Sequence, residues 1–338
     1  MDLTTSYLGL PLCSPVVASA SPVSMTLDGV RACADHGAGA VVLYSLFEEE
    51  VRAREVADLL LTEAHEHSFG EAQGYFPEAP TVSFGGARPY LRHLERSAAA
   101  VDVPVIASLN GSSPGGWTSI AASMESAGAA AIELNIYAVP GDLTVDGRVV
   151  EDRHLEILAA VKAAVSVPVA VKLSPFFSAP GAMALALDAA GADGLVLFNR
   201  FLQPDVDVEA QRVRPGATLS VPAEARLPRT WIALLHRRVR ASLAATTGVE
   251  SGDDVVAYLL AGADVVMTAS ALLRHGPAHV GTLVDELSAW LDRKGYASVA
   301  AARGVLAVGA DVDATAYERA GYVRALRDAQ GRYGRLPS

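Results

Sequence analysis

Four times along this chain an alanine-rich stretch ends in a glycine–alanine step that leads into a short apolar run: Gly39-Ala40-Val41-Val42-Leu43, Gly128-Ala129-Ala130-Ala131-Ile132, Gly191-Ala192-Asp193-Gly194-Leu195-Val196-Leu197 and Gly262-Ala263-Asp264-Val265-Val266. A glycine can take the left-handed conformation that ends a helix, and a short β-branched run behind it reads as a strand buried on both faces. Two further runs, Val103-Pro104-Val105-Ile106 and Val167-Pro168-Val169-Ala170-Val171, open on proline, which a strand tolerates at its first residue. Strands are thus predicted near Pro15–Ala20, Ala40–Tyr44, Pro104–Leu109, Ala130–Asn135, Pro168–Leu173, Gly194–Asn199, Ser242–Thr246 and Val265–Thr268, with helical patterns between most of them. Alternating βα units with doubly buried strands make a parallel sheet, and eight of them close into a (β/α)8 TIM barrel of the α/β class. An open Rossmann-type sheet is the alternative, but no Gly-x-Gly-x-x-Gly follows the first strand. The expectation is one barrel domain over residues 1–338, with 300–338 as a C-terminal helical extension.

Two connections are long, from Tyr44 to about Arg88 and over Phe201–Leu227. Both follow strands, so both belong on the C-terminal rim, where barrel chemistry is found, and loops of this length are commonly lids or binding loops. The tail reads as a final helix over Ala314–Gln330 that covers either the barrel or a partner subunit.

Composition narrows the function. The net charge of −11 argues against general nucleic-acid or anionic-membrane binding, and the cluster Arg237, Arg238 and Arg240 reads as a solvated helix end. Two cysteines, Cys13 and Cys33, exclude a disulfide framework, a four-cysteine zinc site and a self-contained iron–sulfur cluster, and suit a cytoplasmic location. Neither a signal peptide nor an apolar run of membrane-spanning length is visible.

Lys172 is one of only three lysines, and it closes an apolar strand. By strand alternation it points with Ala170, away from Val169 and Val171. A buried ammonium needs an anion or a carboxylate, so Lys172 serves either a ligand at the barrel mouth or an ion pair with Glu133 on the adjacent strand. Asn110, Asn135 and Asn199 end strands in the same way, and amides that both donate and accept suit a planar, hydrogen-bonding ligand. The runs Thr246-Thr247-Gly248-Val249-Glu250-Ser251-Gly252 and Thr268-Ala269-Ser270-Ala271, after the last two strands, are candidates for holding a phosphate through backbone N–H groups. The pair His65 and His67 has spacing unsuited to one metal site, so no metal is expected.

Together these stretches resemble the dihydroorotate dehydrogenase family over nearly the whole chain. The resemblance is carried by Leu8-Gly9-Leu10, Pro15-Val16-Val17-Ala18-Ser19-Ala20, Ile132-Glu133-Leu134-Asn135, Val171-Lys172-Leu173-Ser174-Pro175 and Thr247-Gly248-Val249-Glu250-Ser251-Gly252 in that order. A bacterial dihydroorotate dehydrogenase-like branch is closer still, through Phe198-Asn199-Arg200-Phe201 and Leu273-Arg274-His275-Gly276-Pro277. The resemblance implies FMN as cofactor and hydride transfer through flavin N5. Ala18 and Ser19 would line the flavin, Asn110, Asn135 and Asn199 would hydrogen-bond it or the substrate, and Lys172 would sit at its pyrimidine edge. Thr247, Gly248, Ala269 and Ser270 would hold the phosphate.

Four positions depart from the family's pattern. Ala138 stands where the family has a Cys or Ser base, Tyr44 replaces a lysine, the Tyr75-Phe76-Pro77-Glu78 region replaces an Asn-rich substrate loop, and Thr247 replaces a phosphate-loop glycine. The expected activity is therefore FMN-dependent oxidoreduction of a CH–CH type bond in a small molecule other than dihydroorotate. Tyr137, Tyr44 and Arg200 are the groups expected to face the substrate beside Lys172. A redox partner protein and assembly as a homodimer are the expected associations. The alternatives are a flavin-free, phosphate-binding lyase or isomerase with Lys172 as Schiff-base nucleophile, and a non-catalytic FMN-binding accessory subunit.

Overall fold

The computed structural model describes residues 1–51, 87–111, 117–137, 142–200, 204–214, 216 and 218–334. The two histidines at 65 and 67, the 75–78 region and Ala138 lie outside them. A hairpin of β1 (Thr5–Tyr7) and β2 (Leu10–Leu12) precedes β3 (Val16–Ala18), β4 (Ala40–Phe47), β5 (Val105–Gly111), β6 (Ala131–Ile136), β7 (Val169–Leu173), β8 (Gly194–Leu197), β11 (Ser242–Ala245) and β12 (Val265–Thr268). The last eight pair in parallel and close in chain order, β12 returning to β3, so the TIM barrel is as expected. A second hairpin, β9 (Asp205–Asp207) with β10 (Arg212–Arg214), lies within the long connection after β8.

The helical layer includes α1 (Leu27–Asp35), α2 (Ala87–Ala98), α3 (Trp117–Ser126), α4 (Gly147–Ala164), α5 (Pro180–Ala189), α6 (Arg226–Leu235), α7 (Gly252–Ala261), α8 (Ser270–His275) and α9 (His279–Lys294). Outward strand residues such as Val41, Leu43, Leu134 and Val171 pack with these helices into one core cluster. Inward residues such as Val42, Ile106, Ala131, Ala170 and Val196 form a second, inside the barrel. After α10 (Val299–Ala302) comes α11 (Ala314–Tyr333), which is exposed along almost its whole length and so does not cover the barrel.

The β1–β2 hairpin plugs the N-terminal end of the barrel. Leu8 and Gly9 both have left-handed backbone, φ 56° and 77°, as a two-residue type I′ turn requires. This turn drives Tyr7, Leu8 and Leu12 against the inward residues at the strand starts. Gly194 makes room for it, because a Cβ there would lie 2.5 Å from Leu8 Cδ2. Gly194→Ala is expected to cost about 1–3 kcal/mol by overpacking, and Leu8→Ala in the same chain should recover much of it. Denaturant unfolding of the three variants checks this, and a cost unaffected by Leu8→Ala would contradict the plug.

Candidate active site

Strand register sets the polar groups at the barrel mouth in rows. Asn110 on β5 pairs with Asn135 on β6, which pairs with Lys172 on β7, so the three share one level of the inner face. One level deeper, Ser45, Ser108 and Glu133 follow the same order, and Ser45 and Ser108 join their hydroxyls at 2.8 Å. Lys172 Nζ donates to Glu133 Oε1 across the two levels at 3.3 Å, with the residues 7% and 1% exposed. Lys172 thus pairs with Glu133 and at the same time lines the cavity above. An ammonium has three donors, and this pair uses one.

The cavity over this floor measures about 150 Å3 and is lined by Ser19, Ala20, Lys172, Phe198, Asn199, Arg200, Ser220, Thr246, Thr247, Gly248, Val249, Met267, Thr268, Ala269 and Ser270. A second cavity of about 400 Å3, with Pro175, Phe176, Leu227 and Pro228 in its walls, shares Phe198, Asn199, Arg200 and Thr247 with it. Alone the first is small for an organic ligand. With its neighbour it reaches the roughly 300–1,000 Å3 usual for such sites. Asn199 Nδ2 donates to Asn135 Oδ1 at 2.7 Å, which fixes both amides beside Lys172.

One end of the cavity is built of small hydroxyl residues and backbone. Ser220 Oγ accepts from Gly248 N–H at 3.2 Å and lies 2.9 Å from Ser270 Oγ. Arg274 ties this segment down, donating to the Ser220 carbonyl at 2.7 Å while its other nitrogen meets the Glu250 carboxylate. His275 reaches the same carboxylate at 2.7 Å. Arg274 and His275 together hold the Glu250 carboxyl below its usual range, although its partial burial opposes them.

Thr247 and Gly248 have φ 80° and 72°. The left-handed region is easy for glycine and costly for a β-branched residue. Thr247 therefore holds a backbone that suits glycine better, with its hydroxyl 3.3 Å from the Phe198 carbonyl. Thr247→Gly is expected to stabilise the chain by about 1 kcal/mol, a rise of about 2 °C in Tm. A melting temperature that falls instead would show that the hydroxyl contact outweighs the strain.

Several expected site residues lie elsewhere. Ala18 packs outward with Val16 in the helix-facing core, and Ser19 and Ala20 line the cavity in its place. Tyr44 is turned away from the mouth by a register shift between Val42 and Ser45. It packs edge-on against Tyr90 of α2 at 5.1 Å, and burial with the nearby Glu50 carboxylate pushes its phenol up. Ser45 takes the inward position. Tyr137 is half-buried just beyond β6 and is not part of either cavity wall; its N–H donates to the Gly111 carbonyl at 3.2 Å. Arg200 borders both cavities, but its guanidinium is engaged by Glu224 at 3.2 Å and Thr218 at 3.0 Å. Asn110 keeps its level in the row without touching the first cavity. Ser220 and Phe198 were not singled out from the sequence as site residues, whereas Thr246 was part of a candidate phosphate run. For Ser220 the only signal was a hydroxyl in the loop before α6, and for Thr246 its place in the run Thr246-Thr247-Gly248.

Among the described residues no three His, Cys, Asp or Glu side chains are grouped to hold a metal ion. Burial raises the Cys33 thiol to about 11, which suits packing rather than reactivity. No described helix is long and apolar enough to cross a membrane.

A parallel eight-stranded barrel with a polar, cation-bearing cavity at the C-terminal mouth defines the class of protein. The family model of dihydroorotate dehydrogenase matches residues 84–291, and the chain belongs to the dihydroorotate dehydrogenase family. It is 30% identical over 303 residues to the dihydroorotate dehydrogenase B (NAD(+)), catalytic subunit, of Methanocella arvoryzae, covering 87% of this chain and 94% of that one. The subunit of the same name from Halalkalibacterium halodurans is 32% identical over 210 residues, covering 60% and 68%.

Proposed function

We propose that the chain is an FMN-dependent oxidoreductase acting on a CH–CH type bond of a small molecule. The observation that carries this reading is Lys172, a nearly buried cation in the wall of a cavity whose other end is built of hydroxyls and backbone N–H groups. That donor set suits a ligand with a planar, hydrogen-bonding ring and a phosphate. Lys172, Asn135 and Asn199 would hold the ring. Thr247, Gly248, Ala269 and Ser270 would hold the phosphate, with Ser220 turning its hydroxyl toward it. When bound, FMN supplies a two-electron acceptor or donor. The chain's own residues would bind and orient it, and Lys172 would supply positive charge to favour the anionic reduced ring.

The names of the relatives favour dihydroorotate as substrate, and the sequence of the site favours another. Ala138 has no proton-accepting group at the place of the family's base, and Tyr44, at the place of a family lysine, packs away from the mouth. The flavin-free lyase reading has less support, because Lys172 Nζ already donates to the Glu133 carboxylate at 3.3 Å rather than standing free as a nucleophile. Turnover with artificial electron donors and acceptors tests the reading. Catalysis of electron transfer by the FMN-loaded protein is expected, and its absence would leave only an FMN-carrying accessory role.

A further inference from the structure

Glu133 has no place in the cavity wall, yet its only hydrogen-bond partner among the described residues is a group that does. Its Oε1 accepts from Lys172, and its Oε2, fully buried, has no hydrogen-bond partner among the described residues. The residues beside it at the same level, Ser108 and Ala170, are uncharged. Beneath lies Tyr7 of the plug, whose phenol is pushed well above its ordinary range by burial and then by the Glu133 carboxylate. Among the described residues the inward-facing rows carry Glu133 and Lys172 as an ion pair, with Lys172 in the cavity wall and Glu133 one level below it. A paired charge projects a weaker field than a lone one, so Glu133 subtracts from what Lys172 offers the cavity.

We propose that Glu133 is a positioning residue that fixes Lys172 at the cavity wall and lowers the reduction potential of a flavin bound there. The inference rests on the FMN reading above. Lys172 favours the anionic reduced ring, and Glu133 cancels part of that preference while keeping the ammonium in place. The pair therefore sets the potential, with each member pulling in the opposite direction.

The test is the midpoint potential of bound FMN, with the affinity for oxidised FMN, in the wild type, Glu133→Gln, Lys172→Met and the double variant. Glu133→Gln is expected to shift the oxidised–reduced equilibrium about tenfold toward reduced flavin, about 30 mV for a two-electron couple. Lys172→Met shifts it the other way. In the Lys172→Met background Glu133→Gln has no further effect, because an unpaired buried carboxyl sheds its charge. A merely structural glutamate would leave the potential unmoved. An unchanged or lowered potential in Glu133→Gln overturns the proposal, as does an equal shift with and without Lys172. Should Glu133→Gln not fold, Glu133→Asp draws the charge back by one methylene and is expected to raise the potential by a smaller amount. An unmoved potential there overturns the proposal equally. A wild type that takes up no FMN overturns the functional reading and this inference together, whereas bound FMN of unmoved potential overturns this inference alone.

Discussion

Anaerobic reduction of the FMN-loaded protein by dihydroorotate is expected to accelerate by about 10² to 10⁴-fold when Ala138 is replaced by cysteine. Oxidation of that substrate moves hydride from one carbon while a base takes a proton from the next. Alanine has no lone pair, and no neighbour can activate it. Stopped-flow bleaching of the flavin, on wild type and Ala138→Cys, gives the ratio directly. Rapid bleaching of the wild type would restore dihydroorotate as the substrate and require a base from elsewhere in the chain. If neither protein bleaches, substrate placement has changed along with the base, in line with the altered positions 44 and 75–78.

Lys172→Met is expected to destabilise the flavin-free protein by about 3–5 kcal/mol, because removing one member of a buried pair leaves the other to take up a proton against its ordinary tendency. Glu133, 1% exposed, has no second cation among the described residues. Replacing both members, as Glu133→Gln with Lys172→Met, should recover most of the loss, since neutral side chains of similar size pack without a charge to satisfy. Urea unfolding of the single and double variants measures this. The single variant should also bind FMN more weakly. A loss below about 1 kcal/mol would mean that water or a rearranged side chain satisfies Glu133, and that the pair contributes little to holding the barrel.

The barrel was legible because its strands are short apolar runs, seven of the eight entered from glycine or proline, and all eight fall where such runs lie. Lys172, Asn135 and Asn199 were legible for a related reason, since a polar residue at the end of such a run stands out against it. What the pattern hid were departures from regularity. Tyr44 follows Leu43 outward because β4 carries a register shift after Val42, and strict alternation would have turned it inward. Of the expected pair Ala18 and Ser19, Ala18 packs outward and Ser19 lines the cavity, because a single step along a strand reverses the face. The plugging hairpin was hidden because its strands are three residues long and its turn places a leucine in left-handed backbone, against that residue's preference. Ser220 lies in a segment without periodicity, and only the fold brings it beside Gly248 and Ser270.

The most direct measurement of the central claim is the visible absorption of the protein as purified, followed by identification of whatever is released on denaturation. The account predicts a yellow protein that frees FMN in about equimolar amount, or a colourless one that becomes yellow and holds FMN through gel filtration once it is added. A protein that is colourless and does not retain added FMN would contradict the account.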